Sequence, residues 1–263
     1  MHSNFSGDSD ATPIDMINSA KEKGLRGITF TDHLDLDYPA EYGFFDLDLE
    51  KYYPTHHQLA QKHSTENFTI LTGIEVGLQP GIFDATANIV NKYPFDFVIG
   101  STHLIDKLDP YFESSWENKS PSDFLKRYYE CVLENITVFS DFDTLAHLDY
   151  AFRYAKDSSI KNNSYAPYKD IVDEILSHLV KKDKALEINT SGLRKGMTYP
   201  NPHKDIVKRY FQLGGRLITI GADAHKPEDI AADFDYLPDF LKDCGFNEFA
   251  VYKNRKPTLY PLG

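Results

Sequence analysis

The alternation of short apolar runs with helical patterns constrains the fold more than any other feature of the sequence. Apolar, β-rich runs occur at 27–31, 68–76, 95–102, 144–148, 185–189, 216–221 and 246–252. Helical patterns occur at 10–23, 47–64, 85–91, 121–139, 168–181, 203–213 and 229–244. Strands that are apolar on both faces need helices on both sides of the sheet, so this order predicts a parallel sheet covered by helices. A (β/α) barrel and an open doubly wound sheet both satisfy it.

The chain offers no obvious place for a domain boundary. Its 263 residues contain no low-complexity tract, no repeat of fixed period and no long linker rich in Gly, Ser or Pro. Barrels of this length commonly form one domain. We therefore expect a single domain over residues 1–263.

The N-terminus and the cysteine content favour a cytoplasmic protein. The first ten residues have neither the basic start nor the apolar run of a secretory signal. No segment approaches the roughly 18 consecutive apolar residues that suggest a membrane span. Cys131 and Cys244 are the only cysteines, so the chain can build neither a disulfide framework nor a thiolate zinc cluster. We expect a cytoplasmic location and no membrane partner.

The chain is acidic, with 28 Lys and Arg against 40 Asp and Glu and a net charge of −12. A face that binds DNA needs a broad basic surface for the phosphate backbone, so we expect no nucleic-acid partner. A small phosphorylated substrate is compatible with this charge, because metal ions and one or two arginines can reverse the field inside a cleft. The sequence does not indicate an oligomeric state.

Side chains that can bind metals stand where the predicted strands end. The candidates are His33, Glu75, His103, His147, Asp223 and His225 at strand ends, with His2 and Asp8 before the first helix. The carboxyl ends of parallel strands face one side of a sheet, where α/β proteins build their active sites. Imidazole together with carboxylate suits Zn, Fe or Mn. The sequence therefore predicts a site for several divalent ions.

A structural role is the alternative for each of these residues. One histidine at a strand end is more often a hydrogen-bonded structural residue, but four such histidines, with His2 as a fifth, favour metal binding. Glu75 and Asp223 favour it further, because a buried carboxylate is costly without a cation nearby. The remaining candidates are expected to be structural or to support a neighbouring ligand: His56, His57, His63, His178, Asp32 and Asp149.

Six short segments, taken in order, resemble the PHP (polymerase and histidinol phosphatase) superfamily. They are His-Ser-Asn-Phe-Ser-Gly-Asp at 2–8, Thr-Asp-His at 31–33, Gly-Ile-Glu at 73–75, Ser-Thr-His at 101–103, Ala-His-Leu-Asp at 146–149 and Asp-Ala-His at 223–225. Within the superfamily, the segments at 185–194 and 109–111 resemble histidinol-phosphate phosphatases. The resemblance implies a distorted (β/α)7 barrel. It also implies hydrolysis of a small phosphate monoester, L-histidinol phosphate, in histidine biosynthesis.

The resemblance also implies a trinuclear metal centre of Zn, Fe or Mn ions. The implied ligand groups are His2, Glu75 and Asp223; Glu75, His103 and His147; and Asp8, His33 and His225. The catalytic residues among them would be Glu75, Asp8, His33 and His225. The chemistry implied is in-line attack at phosphorus by a metal-bridging hydroxide. The group that protonates the leaving alkoxide is not identified.

The chain departs from the family pattern at its start. The family opens with His-x-His at the end of its first strand, whereas here Met1 takes the x position and the first histidine is absent. We therefore expect that the sequence begins at an internal methionine and that the first strand is truncated. The ion at His2 would then lack a ligand.

Two arginines are the candidates for binding the phosphate group. They are Arg153, shortly after His147, and Arg194, after the turn that follows Asn189. Arginine pairs with phosphate through two parallel hydrogen bonds, and a surface salt bridge is the alternative role. Three other functions stay open: a PHP phosphoesterase for nucleotides or nucleic acid ends, a C–N hydrolase of the amidohydrolase type, and an inactive metal-binding module.

Overall fold

A parallel sheet organises the chain in the computed structural model, which describes residues 1–162 and 165–263. The strands are β1 (Gly27–Phe30), β2 (His33–Leu34), β3 (Thr69–Gly77), β4 (Phe97–Ser101), β5 (Thr144–Leu145), β6 (Ala185–Asn189) and β7 (Ile218–Gly221), followed by a hairpin of β8 (Glu248–Lys253) and β9 (Lys256–Pro261). The helices are α1 (Pro13–Glu22), α2 (Leu49–His63), α3 (Phe83–Lys92), α4 (Pro121–Val138), α5 (Ser158–Lys161), α6 (Lys169–Lys181), α7 (Ser191–Arg194), α8 (Lys204–Gln212) and α9 (Leu237–Cys244).

The predicted parallel sheet is confirmed, and it is curled into a half-barrel. The strand order is β1-β3-β4-β5-β6-β7, and β2 pairs with β3 as well. Gly27 pairs with Thr69 and His33 with Glu75, so β1 and β2 lie in line along the same side of β3. This register carries the carboxyl ends of all these strands to one edge of the sheet.

The sheet is open between β7 and β1. Met1 and His2 join the two sides through backbone hydrogen bonds. The Thr31 N–H donates to the Met1 carbonyl (2.9 Å), and the His2 N–H donates to the Ala224 carbonyl (2.9 Å). A cavity of about 1050 Å³ lies inside the curl, with Glu75 and Asp223 among its lining residues.

The helices are specified by ordinary local signals. In α1, the Thr12 side chain accepts from the Asp15 N–H and Pro13 occupies the first turn, which is a favourable helix start. Its buried face, which includes Met16 and Ile17, packs in the apolar cluster that contains Phe30 of β1. No described helix is both long enough and apolar enough to cross a bilayer.

Two elements at the C-terminus differ from the sequence prediction. The run at 246–252 forms β8, but β8 pairs antiparallel with β9 instead of joining the parallel sheet. Asn254 and Arg255 both have positive φ, as a two-residue hairpin turn requires, and such a turn returns the chain antiparallel. The helical pattern at 229–244 forms α9 only from Leu237, because Asp233 adopts a left-handed conformation that ends any helix before it.

Candidate metal centre

The eight predicted ligands meet at the carboxyl edge of the sheet. Strand ends supply most of them, and the loop before α1 supplies the rest: His33, Glu75, His103, His147, Asp223 and His225, then His2 and Asp8. The backbone helps to direct two of these side chains, because His147 (φ 20°) and Asp223 (φ 51°) both have positive φ. Such conformations are uncommon for residues other than glycine and cluster at functional sites.

Glu75 lies at the middle of the centre, with its two carboxylate oxygens facing different histidines. Oε1 lies 3.2 Å from His103 Nε2 and 3.3 Å from His147 Nε2. Oε2 lies 3.6 Å from His2 Nε2, and the same nitrogen lies 3.2 Å from Asp223 Oδ1. One carboxylate therefore faces two groups of potential ligands, as a bridging ligand must.

Asp8 joins two histidines on the outer side of the centre. Its Oδ2 lies 3.1 Å from His225 Nε2 and 3.7 Å from His33 Nε2. The ring of His2 stacks between the rings of these two histidines, with centroid distances of 4.1 Å to His225 and 4.2 Å to His33. The three ligand groups suggested by the family resemblance are therefore each assembled in space.

Burial and mutual charge set the protonation of these residues. Burial alone would raise the pKa of Glu75, but the neighbouring His33, His103 and His147 outweigh it and hold that pKa well below its ordinary value. Burial, with His225 and His33 nearby, lowers the pKa of His2 to about 4. An ionised carboxylate and a neutral imidazole are the forms that bind metals.

His225 differs, because its carboxylate neighbours overcome its burial. Burial would lower its pKa, but Asp8 and Asp223 raise it to about 9. A metal ion at this position must therefore displace a proton, so metal binding there weakens as the pH falls.

Several ring nitrogens in the centre have no hydrogen-bond partner within the described parts of the chain. They include His33 Nδ1 and His147 Nδ1, both of them buried. Three sets of side chains also hold their ligand atoms within 4.8 Å of one another: His2, His33 and His225; His33, Asp35 and His103; and Glu75, His103 and His147. These nitrogen and oxygen donors fit Zn, Fe or Mn.

Asp35 also belongs to the centre, although it is not among the ligands predicted from the sequence. Its Oδ1 lies 2.7 Å from His103 Nδ1, and its Oδ2 lies 3.8 Å from His33 Nδ1. A carboxylate on the second ring nitrogen orients a histidine and leaves the first nitrogen free for a metal. Asp35 follows His33 by two residues, so the two-residue period of a strand, which places both on one face, is the signal that could have found it.

The two predicted phosphate-binding arginines occupy different surroundings. Arg153 is 4% exposed. It donates to Asn201 Oδ1 (2.6 Å) and Asp223 Oδ2 (3.2 Å), and its Nη2 has no partner among the described residues. Arg194 donates to the Ala222 carbonyl and forms an ion pair with Asp229 (3.4 Å). Arg153 therefore touches the centre directly, whereas Arg194 is partly committed to a surface ion pair.

Comparisons with known proteins identify relatives of this chain. A family model described as PHP domain matches residues 1–191. A "Probable histidinol-phosphatase" of Clostridium acetobutylicum is 33% identical over 246 residues, which are 93% of this chain and 92% of that protein. Another from Thermotoga maritima is 34% identical over 256 residues, 95% of this chain and 93% of that protein.

A solved structure is similar over nearly the whole chain. It is histidinol phosphate phosphatase from Lactococcus lactis complexed with zinc, L-histidinol and phosphate. The sequence identity is 29%, the TM-score is 0.88, and the match covers 98% of this chain and 97% of that one. The chain belongs to the PHP domain family, together with relatives that carry the name histidinol-phosphatase.

Proposed function

We propose that this protein is a metal-dependent phosphatase that converts L-histidinol phosphate to L-histidinol and phosphate. The observation that carries the proposal is the convergence of five histidines with the carboxylates of Asp8, Glu75 and Asp223, beside the Arg153 guanidinium. The substrate is supported by the names of the relatives and by the ligands of the Lactococcus lactis structure. A role in histidine biosynthesis follows from that substrate.

The proposed centre holds three divalent ions, Zn, Fe or Mn. The ligand groups are His2, Glu75 and Asp223; Glu75, His103 and His147; and Asp8, His33 and His225. When bound, such ions lower the pKa of water to about 7 and stabilise negative charge on phosphate oxygens. The proposed catalytic residues are Glu75, Asp8, His33 and His225.

Neighbouring side chains prepare the centre for this chemistry. Ser101 Oγ donates to Glu75 Oε1 (2.6 Å) and so holds the carboxylate between its histidines. Arg153 carries a fixed positive charge beside Asp223, and its Nη2, which has no partner in the described part of the chain, can donate to a phosphate oxygen. Arg194 is the second proposed phosphate contact, and it would have to leave its ion pair with Asp229 to make it.

Two further parts of the proposal concern the chain as a whole. We propose one domain over residues 1–263, supported by an apolar core cluster that contains residues from α2 to α9. We propose a cytoplasmic location, supported by Cys131 and Cys244, which are both buried and free of disulfides.

The substrate assignment is tested by a panel with purified protein loaded with Mn²⁺ or Zn²⁺. Phosphate release is measured from L-histidinol phosphate, an aryl phosphate, a dinucleotide and single-stranded DNA. We expect kcat/KM for L-histidinol phosphate to exceed that for the aryl phosphate by about 10²-fold, because contacts with the leaving group contribute in the transition state. A chelator should abolish the release.

The other outcomes separate the remaining functions. Equal efficiency on the aryl phosphate contradicts the substrate assignment. Faster turnover of the dinucleotide or of DNA supports a phosphoesterase for nucleotides or nucleic acid ends. No turnover of any compound by metal-loaded protein supports an inactive metal-binding module.

Replacing Arg153 with lysine should reduce kcat/KM for the phosphate monoester by roughly tenfold, because lysine keeps the charge but loses the paired geometry of the guanidinium. Arg194→Lys is the matched comparison and should have a smaller effect, since Arg194 is partly engaged by Asp229. Steady-state kinetics on both variants measure the difference. A larger loss in Arg194→Lys would assign the main phosphate contact to Arg194.

A further inference from the structure

One carboxylate oxygen of Asp32 accepts the hydrogen bonds that hold the N-terminal segment. Its side chain is fully buried in the connection between β1 and β2. Its Oδ1 accepts four hydrogen bonds, from Ser3 N (2.6 Å), Ser3 Oγ (2.9 Å), Ser6 N (3.2 Å) and Ser6 Oγ (3.1 Å). The two serines lie between His2 and Asp8, so this oxygen holds the turn that separates two proposed metal ligands.

The Ser6 hydroxyl connects Asp32 to two of the histidines. Ser6 Oγ accepts from the His33 backbone N–H (3.0 Å) and lies 3.4 Å from His2 Nδ1. A hydroxyl has one proton to donate, and Asp32 Oδ1, which can only accept, is the nearer partner (3.1 Å, against 3.4 Å to His2 Nδ1). When that proton goes to Asp32, Ser6 Oγ can only accept from His2, and His2 Nδ1 then carries the ring proton.

This assignment of the ring proton determines which nitrogen of His2 can bind a metal. With the proton on Nδ1, His2 Nε2 has a free lone pair. That nitrogen faces Glu75 Oε2 (3.6 Å) and Asp223 Oδ1 (3.2 Å). The opposite tautomer would direct an N–H at the place where a cation would sit.

Asp32 is itself held from its other side by α2. Its backbone N–H donates to Tyr52 Oη (3.4 Å), and that hydroxyl donates to the Gly73 carbonyl (2.9 Å). Its Oδ2 lies 3.9 Å from His56 Nε2. Tyr52 thus holds the backbone of Asp32, and His56 lies beside its carboxylate.

We propose that Asp32 is a positioning residue for the metal centre. It holds the segment that carries His2 and Asp8, and through the Ser6 hydroxyl it sets the tautomer of His2 that leaves Nε2 free for a metal. The inference rests on the ligands named in the proposed function.

The test compares Asp32→Ala, Ser6→Ala and Asp32→Asn in the full chain. Affinity for Zn²⁺ or Mn²⁺ is measured by competition with a chelator, and thermal unfolding is measured without metal. We expect Asp32→Ala and Ser6→Ala to weaken metal binding by roughly tenfold or more. Asp32→Asn should lose much less, because its amide oxygen can still accept the Ser6 proton while its nitrogen faces His56 Nε2.

Asp143→Ala is the matched control, because Asp143 is a buried aspartate that we expect to support only the fold. Asp143 Oδ2 accepts from the Val98 N–H (2.8 Å), at the edge of the sheet opposite the metal centre. This variant should lower the unfolding temperature and leave metal affinity unchanged.

Unchanged metal affinity in folded Asp32→Ala, or an equal loss in Asp143→Ala, would overturn the positioning role. Should Asp32→Ala fail to fold, Ser6→Ala decides, because it removes a single hydroxyl. A parent chain that binds no metal would refute both the proposed function and this inference. A parent chain that binds metal while the variants match it would refute the inference alone.

Discussion

Replacing Glu75 with glutamine should abolish metal binding and lower phosphatase activity by about 10³-fold. This factor is the upper end of the loss in kcat seen when one preorganised electrostatic contact is removed from an active site. Glutamine keeps the volume of the side chain, but its amide is uncharged and one of its two terminal atoms is an NH₂ group. Glu75 uses both oxygens, Oε1 towards His103 and His147 and Oε2 towards His2. In either orientation of the glutamine amide, only one of the two sides would face an oxygen that can bind a metal.

Glu187→Gln provides the matched control for Glu75→Gln. Glu187 is also buried inside the curl of the sheet, where burial and the nearby Glu75 and Asp223 raise its pKa to about 7. Its Oε2 accepts from the His147 N–H (3.0 Å), and a glutamine oxygen can accept the same bond. We expect this variant to keep its metal ions.

Metal content by elemental analysis and phosphate release measured on the same samples distinguish the two variants. Full metal content in Glu75→Gln would show that Glu75 is not the bridging ligand. Loss of metal from both variants would show that the centre needs the charge inside the curl rather than one particular carboxylate.

Much of the centre is predictable because strand topology makes distant residues neighbours. His33 and Glu75 are far apart in sequence, yet the parallel register pairs them directly, and the next strand carries His103 to the same edge. When strands and helices alternate in a sequence, the carboxyl ends of the parallel strands are expected at one edge of the sheet, even where the register is unknown. The ligand candidates therefore follow from where the apolar runs end.

Other features depend on contacts that no local pattern encodes. The positive φ of His147 and Asp223 is uncommon for residues other than glycine, and no local pattern in the sequence indicates it. Arg153 and Arg194 are equivalent candidates in the sequence, and their partners, which include Asp223 and Asp229, distinguish them in the structure. Asp35 acquires its role only when His103 is placed beside it.

Replacing Gly77, at the end of β3, with alanine should weaken metal binding at Glu75, His103 and His147 by about 10²-fold. A Cβ at position 77 would collide with the Asp35 carboxylate, whose Cγ would be 2.5 Å away. Asp35 would have to turn away and would lose its contact with His103 Nδ1. Metal affinity by chelator competition measures the loss.

Gly27→Ala is the control for adding a methyl group to a crowded strand. Gly27 is in β1, at the opposite end of the sheet from the metal centre. An added Cβ would lie 2.7 Å from the Thr69 carbonyl oxygen. This variant should lower the unfolding temperature and leave metal affinity intact. An equal loss of affinity in Gly27→Ala would mean that Gly77→Ala acts through general destabilisation.

A double-mutant cycle shows whether Gly77 acts through Asp35. Once Asp35 is alanine, the carboxylate is gone and only its Cβ remains near position 77, at 3.2 Å. Gly77→Ala should then cause little further loss of metal affinity, so the two single losses should not add. Additive losses would contradict this mechanism, because they would mean that the methyl group at position 77 disturbs the centre without moving Asp35. Losses that do not add would show that glycine at position 77 leaves the room that Asp35 needs to orient His103.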